Sequence, residues 1–134
     1  MNSKKYDPAV KAFIVDNNQL FIIKRSDKDV HKPGVWEIPG GRLNKGENPI
    51  KGLIRETKEE TNLDIEVIKP INIKHFTRDD GQNIEMTVYF CKVLTKNVIL
   101  SSEHTAFEWI NVDNAKERLN EFFHGDIDNF KKMN

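Results

Sequence analysis

The sequence predicts an α/β fold in which a sheet packs between helices. Three features point there: two apolar segments joined at Asn17-Asn18, a stretch from Asn48 to Asn62 bounded by helix-cap residues, and two long strand-like segments ahead of an amphipathic tail. With 134 residues and 37% hydrophobic content, the chain can bury one sizeable core and is short for two, so a single domain over 1–134 is expected.

Val10 to Ser26 reads as two strands, AFIVD and QLFIIKR, because Asn17-Asn18 between them tolerates the left-handed backbone of a tight hairpin. After a loop with His31, Pro33 and Gly34 comes a short strand, VWEI, ended by Pro39-Gly40-Gly41, where proline and two glycines break regular structure and let the backbone turn close to a ligand. Asn48 is a good N-cap, Pro49 suits the first helical position and Asn62 suits a left-handed end, which predicts a helix from about Pro49 to Thr61. Ile50, Leu53, Ile54 and Thr57 recur at helical spacing as its expected core face. Ile65 to Thr77 and Ile84 to Thr95 read as long strands joined through Asp79-Asp80-Gly81-Gln82. A short strand, FEWI, precedes a helical tail from about Asp113 through AKERLNEFF, with Gly125 as the expected point of division. There is no internal repeat or low-complexity tract.

Charge and composition narrow the function. Lys plus Arg and Asp plus Glu both number 21, so no net field draws the chain to duplex nucleic acid or to an anionic membrane, and a charged ligand must be held by local charge. The start, MNSKKYDPAVKAF, has no apolar stretch of signal length and no segment approaches a membrane span, which reads as a cytoplasmic protein. The lone Cys91, in the apolar run TVYFC, reads as a buried structural thiol.

On the expected helix, Glu56, Glu59 and Glu60 stand at i, i+3 and i+4, within an arc of roughly 100°. That arc is centred about 120° from the expected core face, which puts the acids along the helix edge. Such a face is often merely solvated. Oxygen ligands crowded this way also suit a hard cation, Mg²⁺ or Mn²⁺, able to hold phosphate oxygens and polarise a water.

The surroundings decide between these. From Gly41 to Leu63 the chain runs GRLNKGENPIKGLIRETKEETNL, which resembles the Nudix box, with Gly41, Glu47, Arg55, Glu56, Glu59 and Glu60 at the box's spacing. At average residue frequencies, six prescribed matches arise by chance on the order of once in ten million starting positions. Two positions depart from the box: Asn62 stands where glycine is usual and Thr57 where a more apolar residue is usual. Asparagine is the next-best left-handed cap, and the methyl of threonine can still face a core. Trp36-Glu37-Ile38-Pro39-Gly40 matches the usual lead-in, and the opening strands and FEWI fit the family's order, so the resemblance fills the chain.

The resemblance implies an α/β/α sandwich with a mixed sheet and hydrolysis of a nucleoside diphosphate linked to another group. It implies Glu56, Glu59, Glu60 and Gly40 as metal ligands, with Mg²⁺ or Mn²⁺ as cofactor, and Arg55 and Glu47 orienting them. Gly41, Glu47 and Arg25 are the substrate-side candidates. Arg25, at the end of the second strand, reads either as a fork of donors to a phosphate or to Glu47, or as an ordinary solvated arginine. The general base is expected either among the box acids, Glu56 or Glu59, or at Glu103, six residues before Trp109. His104 adjoins Glu103 but reads more readily as a loop histidine without a ligand role, and Trp36, Phe76, Phe122 and Phe123 read as core residues that can also stack on a base. Similarity to MutT-like members favours a nucleoside triphosphate, intact or damaged, cut with release of pyrophosphate. ADP-ribose or a nucleotide sugar is the alternative, weakened by Arg78-Asp79-Asp80 where some relatives carry a marker proline or tyrosine. A non-catalytic sensor that binds a nucleotide is the other class, but such domains usually lose box acids. The expected partner is a small nucleotide, with a homodimer left open.

Overall fold

The computed structural model describes residues 5–133; the outermost ends of the expected 1–134 domain, 1–4 and 134, lie outside the described residues. The hairpin forms as the sequence indicates. β1 (Asp7–Asp16) and β2 (Gln19–Arg25) meet across Val15 and Leu20, with Asn17 and Asn18 at φ 49° and 62°. β3 is Trp36–Glu37 and β4 is Gly40–Arg42. β5 (Ile65–Thr77) and β6 (Asn83–Val93) are antiparallel, and β7 (His104–Asn111) is longer than the FEWI segment alone suggested.

These strands make a seven-stranded mixed sheet. β1 runs parallel to β6 and antiparallel to β4, while β2 carries β3 and β7 antiparallel to itself. Alternation along β1 divides the core in two. Val10, Ala12 and Ile14 face α1 (Pro49–Thr61) together with Phe21, Leu53, Leu63 and Cys91. Ala9 and Phe13 face the other way, against Leu119, Phe123, Ile127 and Phe130 of the C-terminal segment. Helices on both faces of a mixed sheet are the sandwich that the resemblance implies.

The helix itself is closed at the expected residues. Asn48 accepts from the Ile50 and Lys51 N–H groups, and Asn62, at φ 65°, donates its own N–H to the Lys58 carbonyl at 2.9 Å. Its core face is different from the one expected. Ile50 and Ile54 are each 38% exposed, and the buried set is Gly52, Leu53, Thr57, Glu60 and Thr61. Gly52 is the reason: a Cβ there would stand 2.4 Å from Leu43 Cδ2, so the bare backbone lets the helix roll onto Leu43. Glu60 is therefore carried into the interior rather than along the edge.

The tail also differs. In place of a helix through AKERLNEFF there are two 3₁₀ segments, Val112–Glu117 and Glu121–Phe123, followed by α2 (His124–Lys132). The division falls at Arg118 to Asn120 because Asn120 donates its N–H to the Trp36 carbonyl at 3.0 Å and caps Phe122 with its side chain; Gly125 lies inside α2. Cys91 is buried, and that burial pushes its thiol up to about 12, in keeping with a structural role. Among the described residues no helix is long and apolar enough to cross a membrane.

Candidate active site

Arg55 organises the exposed half of the box. Its Nε donates to Glu47 Oε2 at 2.7 Å and its Nη2 to Glu47 Oε1 at 2.9 Å, a two-point match of guanidinium to carboxylate. The same guanidinium reaches Glu56 Oε1 at 3.2 Å and both oxygens of Glu59 at 3.0 and 3.1 Å. Hydrogen bonds from Arg55 and from the Asn44 N–H bring Glu47 down to about 2. Arg55 thus holds three carboxylates at once and sets their mutual orientation.

Glu60 is held from the opposite side. Its Oε1 accepts the Gly40 N–H at 2.7 Å, and burial raises the carboxyl to about 7 against the opposing pull of Lys11 and that hydrogen bond. Gly40 sits at φ 131°, where a Cβ would lie 2.1 Å from the Val10 carbonyl oxygen, so only glycine fits. A Cβ on Gly41 would stand 3.2 Å from Glu56 Oε2, so that backbone also runs close under the acids. Burial raises Glu56 too, with Arg55 opposing and Glu59 adding to it.

Beneath Gly40 lies a buried charge cluster that the sequence reading missed. Lys11 Nζ donates to Glu37 Oε1 at 3.2 Å and to the Ile38 and Gly40 carbonyls at 3.1 Å each. All three of its N–H groups are therefore used within the protein. The other Glu37 oxygen takes Arg25 Nη1 at 3.0 Å and His104 Nε2 at 2.8 Å. Burial works to raise Glu37, but Lys11, His104 and Arg25 outweigh it and bring it to about 2. A signal was present in the sequence: Lys11 interrupts the apolar row of Ala9 and Phe13 on one face of a strand.

Arg25 does not reach Glu47. It pairs with Glu37 and with Asp29, at 3.1 Å from Nε and 2.6 Å from Nη2, which leaves two of its five N–H groups without a partner among the described residues. His104 is buried in the Glu37 cluster rather than lying on an open loop, with its Nδ1 lacking a partner among the described residues. Glu103 is exposed beside it. Its loop is tied to the box helix, since the Ile99 and Ser101 N–H groups donate to the Thr61 and Glu60 carbonyls at 3.0 Å each, while the Glu103 carbonyl accepts the Ser26 N–H.

A cavity of about 340 Å³ opens on the α2 side of the sheet. Lys11, Arg25 and Glu37 form part of its lining, with Phe76, Phe122 and Phe123 along another part. Phe76 meets Phe122 edge-on, with centroids 5.1 Å apart. Trp36 lies outside this lining, packed against the core with the Arg118 guanidinium 5.4 Å from its ring.

The donor chemistry suits a hard divalent cation. Glu56, Glu59 and Glu60 offer only oxygen, and burial is the largest cause of the upward shifts of half-buried Glu56 and buried Glu60. In their present orientation Glu59 and Glu56 turn to Arg55 and Glu60 to Gly40, and no three acidic, histidine or cysteine side chains among the described residues form a metal-sized cluster.

Comparison with known proteins agrees with this geometry. The NUDIX domain profile matches residues 5–129. The chain is 35% identical to a MutT-like protein of Streptomyces ambofaciens over 109 residues, 81% of this chain and 65% of the relative. It is 38% identical to an 8-oxo-dGTP diphosphatase of Proteus vulgaris over 65 residues, 48% of this chain and 57% of the relative. The matched segment thus spans less than two thirds of either relative's length. The crystal structure of a MutT protein from Methanosarcina mazei Go1 superposes with a TM-score of 0.84 at 23% identity, covering 99% of this chain and 98% of that one, which is a likeness of fold. The chain belongs to the Nudix hydrolase family.

Proposed function

We propose that this protein hydrolyses a nucleoside 5′-triphosphate, intact or damaged, to the monophosphate and pyrophosphate. One observation carries the reading: an unbroken set of contacts joins the aromatic cavity to the box acids. Lys11 lines the cavity and bonds the Gly40 carbonyl, and the N–H of that same glycine bonds Glu60. A ligand with a flat base at one end and phosphates at the other fits such a path. The Proteus vulgaris relative, an 8-oxo-dGTP diphosphatase, supports the same substrate class.

Glu56, Glu59 and Glu60, with the Gly40 carbonyl, would hold the divalent cation, the carbonyl sharing its oxygen with the Lys11 ammonium. When bound, it polarises phosphate oxygens and makes water a stronger nucleophile. The protein's own groups do the rest. Arg55 aligns Glu56 and Glu59 and keeps Glu47 beside them. The two remaining N–H groups of Arg25 bind a phosphate oxygen from the cavity side. Glu103, exposed on a loop fastened to the helix, takes the proton of the attacking water. Phe122 stacks on the base. The profile match over 5–129 supports one domain doing all of this.

The test is a panel of nucleoside triphosphates, 8-oxo-purine triphosphates, ADP-ribose and nucleotide sugars with millimolar Mg²⁺, with products separated by chromatography. Monophosphate and pyrophosphate in equal amounts are expected. Turnover confined to ADP-ribose or a nucleotide sugar would refute the substrate, and tight binding without any turnover would favour a sensor.

A further inference from the structure

The aromatic wall of the cavity is fastened by a buried ion pair that the hydrolytic chemistry does not use. Asp126, in the first turn of α2, is fully buried and accepts from Lys74 Nζ at 2.7 Å and from Asn72 Nδ2 at 2.8 Å. The same ammonium donates to the Phe122 carbonyl at 3.0 Å and lies 3.9 Å from the Phe122 ring centroid and 4.6 Å from that of Phe123. Phe122 is thus held by its backbone and by its ring at once.

This arrangement is poorly explained as a device for stability. Taking an ammonium and a carboxylate out of water costs several kcal/mol each, and well-packed apolar residues in such places often do as well or better. Burial lowers Lys74 despite the hydrogen bond and charge of Asp126, which is the mark of that cost. An apolar pair would seal the seam between β5 and α2, but it would offer no donor to the Phe122 carbonyl and no cation to its ring. Phe122 needs such a hold. It belongs to a three-residue 3₁₀ segment between Asn120 and α2, too short to stiffen itself.

We propose that Lys74, anchored on Asp126, is a positioning residue for nucleobase recognition, which fixes Phe122 as the stacking wall of the cavity. This rests on the reading that the cavity takes the base of a nucleotide. A ring held in place stacks without first being ordered, so releasing it should weaken base binding while leaving untouched the box acids, whose partners are Gly40 and Arg55.

The probe is 2-aminopurine riboside 5′-monophosphate, titrated by fluorescence in chelator, so that neither metal nor turnover enters. The variant is Lys74→Met combined with Asp126→Asn, which leaves no buried charge without its partner. About tenfold weaker probe binding is expected, with a matching rise in KM for the best triphosphate and kcat within about twofold, since stacking of one base on one aromatic ring spans this range. In a Phe122→Leu background the same pair of changes should add little, because the ring it positions is gone. If the double variant does not fold, Lys74→Gln keeps a donor for Asp126 and is expected to move the probe affinity in the same direction. Unchanged probe affinity in a folded variant, or a fall in kcat as large as the rise in KM, overturns the proposal. Should the parent cleave no nucleotide, the hydrolytic reading fails on its own and the probe titration still decides the role of Lys74; a parent that does not bind the probe refutes that role as well.

Discussion

Glu60 ties the metal-free protein's stability to pH. The residue is 8% exposed, and its carboxyl stands at about 7 in the fold against an ordinary value of 4.5. A carboxyl raised by folding helps stability most below about pH 4.5, and that advantage is lost as pH climbs through 7, because the folded protein must then carry a buried charge. At about 1.4 kcal/mol per pH unit, the difference amounts to about 3 kcal/mol at pH 8. Glu60→Gln removes the charge, and its amide oxygen can still accept the Gly40 N–H. In chelator at pH 8 the variant should therefore unfold at a temperature about 10 °C above the parent, taking a few degrees per kcal/mol for a chain of this size. At pH 4.5 the two should melt close together. Millimolar Mg²⁺ should reverse the order, since the parent gains binding energy that the variant has given up. Differential scanning calorimetry over pH 4.5 to 8, with chelator and with Mg²⁺, measures all of this. Equal melting temperatures at pH 8 in chelator, or a gap that does not close in acid, would refute the account of Glu60 as a buried, under-compensated charge.

Three further outcomes are expected. Glu59→Gln should lower kcat by roughly a thousandfold with an unchanged circular dichroism spectrum, and near-normal turnover would remove Glu59 from the metal-holding set. Glu103→Gln should depress kcat at least a hundredfold while Mn²⁺ affinity, read by electron paramagnetic resonance, stays within about twofold; undiminished turnover would return the base to Glu56 or Glu59. Gly40→Ala forces a Cβ to within 2.1 Å of the Val10 carbonyl at φ 131°, and should cost more than about 2 kcal/mol in urea unfolding. A fully stable Ala variant would mean that this turn has another conformation.

What was legible in the sequence was local. The hairpin follows from Asn17-Asn18, and both ends of the box helix from Asn48, Pro49 and Asn62, because each of these residues acts on backbone within a few positions of itself. The six spaced residues of the box were enough to name the family, and Arg55 does lie against Glu47, Glu56 and Glu59. The roll of the helix was not legible. Ile50 and Ile54 have the right spacing for a core face, but Gly52 fits closer to Leu43 than any side chain could, and a packing preference between elements outweighs periodicity within one. The charge cluster was hidden for a similar reason: Lys11 and Glu37 are 26 positions apart and meet only because β3 pairs with β2 and β4 with β1. In the tail, the helical period of AKERLNEFF continues past Asn120, but the bonds from Asn120 to Trp36 and Phe122 draw the backbone out of it.

The loop that carries Glu103 is stitched to the last turn of the box helix by the Ile99 and Ser101 N–H groups, and to the end of β2 by the Glu103 carbonyl. In the proposed mechanism, base and acids therefore form one jaw of a vice, tied together by these backbone bonds. Because Lys74 holds Phe122 in place as well, the motion that admits a substrate and lets its products go is expected at a second jaw, the turn at Arg78 to Asp80, which lines the same cavity. Amide hydrogen exchange should see the two jaws differently, with slow exchange at Ile99, Ser101 and Phe122 and faster exchange at Asp79 and Asp80. If release of products limits turnover, its rate is set at that second jaw, some distance along the cleft from the bond that is broken.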